Sequence, residues 1–320
     1  MQQLIGIARL AAESDLLDTK KTVEYFELPT RKLLNRTTER MPFEWTINPY
    51  RGCEFGCKYC YARYTHEFME LRRSRDFEQK IFAKKFLAAG LRAELQKTDR
   101  KEAIAIGTAT DPYQPAERRF ERTREILSVF AREKGRRLGI TTKSDLVARD
   151  LDLLQAIGRA NIVHVHMTIT TVDEKLARLL EPRAPRPALR LAAVRKIAAA
   201  GIQVGVFANP VMPLVTDSEE NLDAVAGAAK AAGATFMGGG LLFLKPCAKQ
   251  VFLPFLEKYF PEAVPEYDRL FGQTAYLRGM YADAVKERVR RVRERHDLAD
   301  SPLEYTPELW DPEPEQLPLW

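Results

Sequence analysis

The sequence predicts an α/β fold, a partial (β/α)6 TIM-like barrel with a helical C-terminal extension. Six short β-branched or apolar runs alternate with stretches whose apolar residues recur at helical spacing. This alternation indicates parallel βα units joined by right-handed crossovers. Six units are too few for a closed barrel of eight strands. From about residue 248 onward the apolar residues recur at helical spacing only, which predicts that the chain continues in helices.

The predicted strands are, in chain order, 43–48, 103–107, Arg137–Thr142, 162–170, 203–208 and 235–243. The predicted helices between them are 117–133, 145–157, 189–200 and 218–232. Ser218 and an early glutamate give the last of these helices the pattern of a capped start. These elements predict four regions: an N-terminal extension over 1–39, a core over 40–247, a helical extension over 248–300 and a tail over 301–320.

One helix of the C-terminal extension has two different faces. Its apolar face carries Tyr281, Val285, Val289 and Val292. Basic residues occupy the other face with acidic residues interleaved among them. A helix that faces nucleic acid is one interpretation, but the interleaved acids favour a helix that docks on the protein and leaves its charges in solvent.

Three of the four cysteines lie within eight residues, in the run Arg51-Gly-Cys-Glu-Phe-Gly-Cys-Lys-Tyr-Cys-Tyr61. The spacing C-x3-C-x2-C lets Cys53, Cys57 and Cys60 hold one cube of iron and sulfide and leaves its fourth iron free for a small molecule. A structural cluster normally takes four cysteines. A zinc site completed by His66 is a second interpretation, although structural zinc usually takes paired C-x2-C ligands. A disulfide framework is disfavoured because a chain of this length builds a core without cross-links.

This cysteine motif, with Tyr59 before its third cysteine, resembles the signature of the radical S-adenosylmethionine (radical SAM) superfamily. Four further segments resemble, in the same order, its spore photoproduct lyase-related branch and the bacterial relatives of that branch. They are Asn48-Pro-Tyr-Arg-Gly-Cys53, Gly107-Thr-Ala-Thr-Asp-Pro-Tyr-Gln-Pro115, Thr142-Lys-Ser144 and Leu180-Glu-Pro-Arg-Ala-Pro185. The resemblance covers roughly residues 40 to 247 and implies the same partial barrel.

The resemblance implies two cofactors, a [4Fe-4S] cluster on the three cysteines and S-adenosylmethionine on the open iron. One electron from the cluster then gives a 5′-deoxyadenosyl radical, which abstracts hydrogen from an unactivated C–H bond. Tyr59 matches the aromatic residue beside the adenine. Gly107 and Thr108 match the segment that accepts the methionyl amino group; because the commoner Gly-Gly-Glu is Gly-Thr-Ala-Thr-Asp here, Thr108 and Asp111 are both candidates for the accepting oxygen. Lys143 is placed to meet the methionyl carboxylate.

Polar residues alternate along the fourth predicted strand, where His164, His166, Thr168 and Thr170 share one face. An interior polar face requires either a polar ligand or mutual hydrogen bonds. We expect Thr168 and Thr170 to contact the ribose and the two histidines to be core groups. Asn209, just past the fifth strand, is a candidate for the same pocket.

The source of a hydrogen atom for a product radical is open. Spore photoproduct lyases resemble one another in having a donor cysteine between the cluster and the third strand, and this chain has no cysteine between Tyr61 and Pro246. Cys247, at the mouth of the predicted barrel, or a tyrosine such as Tyr113 are candidate substitutes. A half-buried thiol that only packs is the alternative for Cys247.

Composition sets broader limits. The net charge is +6 with a pI near 9.0, which is compatible with a polyanionic partner and equally with a mixed surface. No run of about 18 apolar residues predicts a membrane span, and the first residues lack the pattern of a signal peptide. We therefore expect a cytoplasmic protein that makes no membrane contact, with an electron donor such as flavodoxin or ferredoxin.

The final residues, Gln316-Leu-Pro-Leu-Trp320, resemble the short peptide by which bacterial repair proteins and polymerases bind the sliding clamp. A tail that packs on its own domain is the alternative. Together these features favour a radical SAM enzyme, lyase-like, acting on a nucleic-acid base in DNA repair or modification. A radical SAM enzyme for a small molecule or peptide, and a non-catalytic metal-binding protein that binds nucleic acid, are the two rival hypotheses.

Overall fold

The structure is a computed structural model that describes residues 4–37 and 41–311. The strands within these ranges are β1 (Asp15–Lys20), β2 (Val23–Pro29), β3 (Asn35–Arg36), β4 (Trp45–Ile47), β5 (Tyr50–Arg51), β6 (Lys80–Lys85), β7 (Ala103–Ile106), β8 (Arg137–Thr142), β9 (Ile162–Thr168), β10 (Gln203–Phe207) and β11 (Phe236–Gly238). The helices are α1 (Gly6–Ala12), α2 (Tyr64–Glu67), α3 (Asp76–Gln79), α4 (Ala88–Leu95), α5 (Glu117–Phe120), α6 (Arg122–Phe130), α7 (Leu151–Gly158), α8 (Glu174–Leu180), α9 (Pro187–Ala199), α10 (Glu219–Ala231), α11 (Pro246–Tyr259), α12 (Val264–Phe271) and α13 (Gly279–Arg295). Segments of 3-10 helix occur at Tyr61–Arg63, Asp145–Asp150 and Pro261–Ala263.

The main sheet confirms the predicted fold class. Its strand order is β11-β10-β9-β8-β7-β4-β3, and β4, β7, β8, β9, β10 and β11 pair in parallel with their neighbours in chain order. These six parallel strands are the six predicted ones. Strand β3 adds to the β4 edge in antiparallel orientation.

Apolar β-branched side chains explain why these short strands hold the centre of the molecule. Ile106, Ile140, Val165 and Val206 are fully buried, as expected for parallel strands covered on both faces. The surrounding helices contribute Ile126, Leu154, Ile197 and Val225 to the same apolar cluster. The sheet is therefore a fixed frame whose carboxyl ends present the loops that follow.

Two predicted helices are broken, for a local reason. The predicted helix 117–133 divides into α5 and α6 at Glu121, whose φ is +50°. The buried carboxylate of Glu117 accepts hydrogen bonds from the backbone N–H groups of Thr123 (2.9 Å) and Arg124 (3.1 Å), so it caps the start of α6. The predicted helix 145–157 likewise begins as a 3-10 turn before α7. The predicted cap of α10 is confirmed, since Ser218 accepts from the N–H of Asn221.

A second sheet was not predicted. It has the order β1-β2-β6-β5, in which β2 and β6 are parallel while β1 and β5 pair with their neighbours in antiparallel orientation. Strand β5 directly precedes the loop that carries Cys53, Cys57 and Cys60, which we call the cysteine loop. Arg51 of β5 lies opposite Phe82 of β6. This sheet therefore fixes one side of the cysteine loop.

Of the helices after β11, α13 packs in the apolar cluster of the main sheet, whereas α11 and α12 pack in a second cluster together with Cys53, Phe55 and Cys57. Ala282, Val285, Val289 and Val292 of α13 are buried. Its arginines form ion pairs with α10: Arg295 pairs with Glu219 (2.6 Å) and with Asp223 (2.8 Å). These contacts agree with the docking interpretation of this helix. Within residues 4–37 and 41–311, no helix combines the length and apolarity needed to cross a bilayer.

Candidate active site

A cavity of about 430 Å3 lies at the carboxyl ends of the parallel strands, and we call it the cysteine cavity. Its walls bring together ten of the predicted site residues: Cys53, Cys57, Tyr59, Cys60, Gly107, Thr108, Asp111, Lys143, Thr168 and Asn209. Parallel α/β folds build their sites from the loops at this end of the strands. The volume is within the range of cavities that bind small molecules.

The cysteine loop begins at Gly52, where the backbone permits only glycine. Its φ is +81°, and a Cβ atom there would lie 2.7 Å from the carbonyl oxygen of Lys80 and 2.9 Å from that of Phe77. The next N–H group, of Cys53, donates to the Phe77 carbonyl at 2.9 Å. The glycine therefore lets the loop turn sharply against the end of the second sheet.

Two polar residues after β7 hold the same turn from the other side. The Gly52 carbonyl accepts from Gln114 Nε2 (2.9 Å) and from Thr110 Oγ1 (2.7 Å). The backbone N–H of Glu54 donates to Gln114 Oε1 at 3.0 Å. Gln114 is fully buried. The segment after the second parallel strand thus positions the backbone that carries the cysteines, a role that the sequence analysis did not assign.

The loop after α8 fixes the rest of the cysteine loop. The N–H of Lys58 donates to the Leu180 carbonyl at 2.9 Å, and the N–H of Arg183 donates to the Phe55 carbonyl at 3.2 Å. The buried Arg63 donates to the Cys57 carbonyl at 3.1 Å. These hydrogen bonds, together with those from Phe77, Thr110 and Gln114, hold the cysteine backbone in one conformation.

The three thiols fit a four-iron cluster better than a single ion. In the described residues, no three His, Cys, Asp or Glu side chains converge closely enough for one metal ion, whereas all three thiols line one cavity. A four-iron cube spreads its thiolate ligands further apart than a single ion does. His66 bonds to the Lys80 carbonyl at 3.0 Å and packs against Phe77, and it does not line the cavity. Burial lowers the pKa of His66 to about 4, and nothing in its contacts favours a fourth zinc ligand.

Charge around the thiols also suits an anionic cluster. Burial raises the pKa of the Cys57 thiol to about 12, and the nearby charges of Lys143 and Arg190 act in the opposite direction. Metal coordination deprotonates a thiol outright, so the two cations would face a permanent negative charge once iron is bound. Burial disfavours the ammonium of Lys143, but the charges of Cys57, Glu181 and Asp111 more than compensate and raise its pKa.

Glu181 and Arg190 form a buried ion pair next to residues that line the cysteine cavity. Glu181 also accepts a hydrogen bond from the Tyr59 hydroxyl. Arg190 is 1% exposed and donates to the carbonyls of Pro185 (2.8 Å) and Thr168 (3.0 Å). Burial opposes the charge of Glu181, yet Arg190 and Lys143 hold its pKa below the ordinary value. Neither member of the pair was predicted as a site residue, although Glu181 lies within one of the quoted motifs.

Both the hydroxyl and the ring of Tyr59 are in contact with charged side chains. Its hydroxyl bonds to Glu181, and Lys143 Nζ lies 5.7 Å from its ring centroid. A ring fixed in this way presents a rigid apolar surface to the cavity. The predicted place of Tyr59 beside the adenine stays a prediction.

Asp111 orients the loop that carries Lys143. Its carboxylate accepts from Thr142 Oγ1, from the Lys143 N–H (both 2.7 Å) and from the Tyr113 N–H (2.9 Å). Asn48, which follows β4, orients the loop after β7 in the same way, since its Oδ1 accepts from the Ala109 N–H at 2.7 Å. Both side chains shape the backbone where the methionyl group is predicted to bind.

Gly107 has a conformation and an environment that exclude other residues. Its φ is +92°, and a Cβ would lie 2.5 Å from the Thr141 carbonyl and 2.6 Å from Pro112 Cδ. Thr108 follows it, with its Oγ1 3.1 Å from Asn48 Nδ2 and its carbonyl accepting from the Tyr61 hydroxyl. The close approach of two strand ends explains why this motif begins with glycine.

Residues predicted from the fourth strand divide between two places. Thr168 lines the cysteine cavity, while Thr170 is buried with its hydroxyl unpaired among the described residues and is not part of the lining. His164 and His166 are half-buried beside aromatic side chains, and His166 stacks on Phe207 with ring centroids 4.0 Å apart. Burial lowers the pKa of His164 to about 4. Neither histidine lines the cysteine cavity, and one ring nitrogen of each lacks a partner in the part of the chain described. Their expected role as core groups stays a prediction.

The two candidate hydrogen donors lie outside the cavity lining. Tyr113 is 1% exposed and belongs to the main apolar cluster. Cys247 is in the first turn of α11 with its Sγ 3.8 Å from the Tyr61 carbonyl. Tyr61 itself lines the cavity, so Cys247 is one residue removed from it. Both roles stay predictions.

Comparison with known proteins agrees with this geometry. The Radical SAM superfamily model matches residues 47–225. An uncharacterised protein of Mycobacterium tuberculosis is 36% identical over 280 residues, which cover 87% of this chain and 82% of that protein. An uncharacterised protein of Methanocaldococcus jannaschii is 29% identical over 271 residues, covering 84% and 94%. A spore photoproduct lyase solved with S-adenosylmethionine and a dinucleoside spore photoproduct has a TM-score of 0.62 at 16% identity, covering 85% of this chain and 79% of that one.

The chain belongs to the radical SAM superfamily and is a radical SAM enzyme. Enzymes of this family use a [4Fe-4S] cluster and S-adenosylmethionine, and they need a reductant. When bound, the two cofactors together supply a carbon radical able to abstract hydrogen. The residues around the cysteine cavity would hold the cluster on three thiolates, present Lys143 to an anionic group and exclude water through the buried wall of Tyr59 and Thr168.

Proposed function

We propose that this radical SAM enzyme acts on a nucleic-acid base, in DNA repair or modification. The observation that carries the proposal is a second cavity of about 590 Å3, which we call the aromatic cavity. It adjoins the cysteine cavity, because both are lined by Met41, Phe43, Tyr61, Thr108, Ala109 and Phe243. A substrate held there would reach the radical site.

The walls of the aromatic cavity suit a flat ring. The Tyr61 and Phe243 rings are 4.7 Å apart, Phe243 and Tyr276 are 5.7 Å apart, and Tyr61 and Tyr64 are 6.4 Å apart. Four cations also line the cavity: Arg36, Arg51, Lys84 and Lys245. Among the described residues of the lining there is no Asp or Glu. Aromatic platforms beside positive charge are the usual means of binding a single-stranded or extruded nucleotide.

The structural neighbour adds limited support. That spore photoproduct lyase was solved with a dinucleoside photoproduct bound, which is a property of that protein. The proposal for this chain rests on the chemistry of its own aromatic cavity. We further propose flavodoxin or ferredoxin as the reductant, and a cytoplasmic location in which the four free cysteines stay reduced.

The test is an anaerobic assay of the reconstituted, dithionite-reduced protein with S-adenosylmethionine. We expect 5′-deoxyadenosine to form, to increase with ultraviolet-irradiated oligonucleotide, and to disappear in Cys57→Ala. Mass spectrometry of the oligonucleotide should show a changed base. If every nucleic acid leaves the rate unchanged while a peptide or small metabolite raises it, the substrate proposal fails and the family assignment stands.

The proposed clamp interaction concerns Gln316-Leu-Pro-Leu-Trp320, which lies outside the described residues. The sequence resemblance alone supports it. We expect a bacterial sliding clamp to retain the full chain in a pull-down and to lose a chain truncated before Gln316. Equal retention of both chains would refute a tail-mediated interaction.

A further inference from the structure

Lys84 is a buried lysine with no side-chain partner among the described residues. It lines the aromatic cavity from β6, is 6% exposed, and forms no side-chain hydrogen bond or ion pair with any residue in the described ranges. The nearest acidic charge acting on it is Glu94, but that carboxylate accepts the N–H groups of Leu33 and Leu34 at 2.8 to 3.0 Å. Burying an ammonium without a countercharge costs free energy, so the position of Lys84 in a cavity wall favours the binding of an anionic ligand there.

Arg51 stands beside Lys84 in the same cavity. The two lie on neighbouring strands, since Arg51 of β5 pairs with Phe82 of β6 and the N–H of Lys84 donates to the Pro49 carbonyl at 3.1 Å. The guanidinium of Arg51 has no acidic partner among the described residues, and its Nε is buried without a hydrogen bond. Two cations that repel each other are thus held together facing one cavity.

A row of aromatic residues, which we call the aromatic wall, lines the same cavity as this cation pair. Its rings belong to Phe68, Tyr64, Tyr61, Phe243 and Tyr276, and each lies within ring-contact distance of the next. Lys245 Nζ caps the wall, 4.1 Å from the Tyr64 ring centroid. A ligand that fills the cavity would therefore carry both an anionic group and a flat ring.

We infer that Arg51 and Lys84 form an oxyanion site for the phosphate of a nucleotide whose base lies against the aromatic wall. Guanidinium and ammonium groups bind phosphate oxygens, the first as a planar fork and the second as a point charge. A nucleotide has both an anionic group and a flat ring, because its phosphate can bind the two cations while its base contacts the aromatic wall. The claim that this phosphate belongs to a nucleic-acid backbone rests on the proposed function. The oxyanion site itself does not depend on that function.

Calorimetric titration of the full, cluster-loaded chain in phosphate-free buffer tests the inference. The probes are the dinucleotide dTpdT, the same dinucleotide with a neutral methylphosphonate linkage, and inorganic phosphate. We expect the wild type to bind the charged dinucleotide at least about tenfold more tightly than the neutral one. Lys84→Met and, separately, Arg51→Gln should reduce this ratio to less than about twofold.

Lys85→Met is the matched control. Lys85 is the next residue of β6, is exposed, and pairs with Glu27 at 2.6 Å, so its loss should leave the tenfold ratio intact. Arg51 is close to the cysteine loop, so iron content is measured for every variant. Lys84→Met removes a buried charge and should fold, which keeps the test decisive if Arg51→Gln does not.

The outcomes separate the two proposals. Equal wild-type affinity for the charged and neutral dinucleotides would overturn the oxyanion site and leave the nucleic-acid function standing. Phosphate binding that requires Lys84, without binding of either dinucleotide, would support the site and overturn the nucleic-acid function. Binding of an acidic peptide through Lys84, with no binding of phosphate or dinucleotide, would overturn the assignment to phosphate, as would failure of every probe to bind.

Discussion

Replacing Lys84 with methionine should stabilise the protein, and the gain should shrink as the pH rises. Burial, with a smaller contribution from the charge of Arg51 and against the opposing charge of Glu94, lowers the pKa of Lys84 from 10.5 to about 7. The unfolded chain therefore holds a proton on this lysine up to about pH 10, while the folded chain releases it above about pH 7. Where the unfolded state binds more protons, stability rises with pH.

The magnitude follows from the separation of the two pKa values. Each pH unit of separation is worth about 1.4 kcal/mol, so the charge on Lys84 destabilises the native state by about 4 kcal/mol at pH 7. At pH 9 about 2 kcal/mol of this penalty remains, because only the unfolded state still takes up the proton. Methionine carries no charge, is similar in length and fills the same apolar surroundings. The advantage of Lys84→Met should therefore fall by about 2 kcal/mol between pH 7 and pH 9.

The assay is urea denaturation, followed by circular dichroism, of wild type and variant prepared identically in phosphate-free buffer at the two pH values. Phosphate is omitted because an anion bound beside Lys84 would restore its charge and hide the effect. Lys85→Met, on the exposed neighbour, should change stability by less than about 1 kcal/mol at either pH. A Lys84→Met variant that is less stable than wild type at pH 7, or whose advantage does not depend on pH, would refute the reasoning.

Three further substitutions test the cavity wall. Gln114→Leu removes the hydrogen bonds that hold the cysteine loop and should lower stability by about 2–4 kcal/mol and reduce the iron bound after reconstitution. Gly107→Ala places a methyl group 2.5 Å from the Thr141 carbonyl at positive φ and should destabilise by a similar amount, as read by the urea midpoint. Glu181→Gln leaves the guanidinium of Arg190 buried without its countercharge and should lose about 3–5 kcal/mol in the same measurement.

A specific result would contradict each of these expectations. Full iron content and wild-type stability in Gln114→Leu would show that the cysteine loop is held by other contacts. An unchanged midpoint in Gly107→Ala would mean that the strand ends separate freely. For Glu181→Gln, the exposed pair Arg269 and Glu266 supplies the control, since Glu266→Gln should alter stability by less than about 1 kcal/mol; equal effects of the two changes would refute a buried role for Glu181.

The sequence alone determined the elements whose signal is local. Parallel strands covered on both faces are short apolar runs, so β4, β7, β8, β9, β10 and β11 could be located and their order inferred. The three predicted cluster ligands could be proposed because they lie within eight residues, on one loop that lines one cavity. Helix ends were less accurate: the capping of α6 by Glu117 depends on a buried carboxylate folding back on the chain, which apolar periodicity does not record.

Only the tertiary structure decided which distant residues share an environment. Strands β1, β2, β5 and β6 are partly polar and gain their stability from one another, so the second sheet left no clear period in the sequence. Tyr59 meets Glu181 across more than a hundred residues, and Arg51 meets Lys84 only because β5 and β6 pair. Burial and the charges that surround them give such side chains their chemistry. Local patterns are set by the neighbours along the chain, whereas the charge balance of a cavity depends on every segment that folds around it.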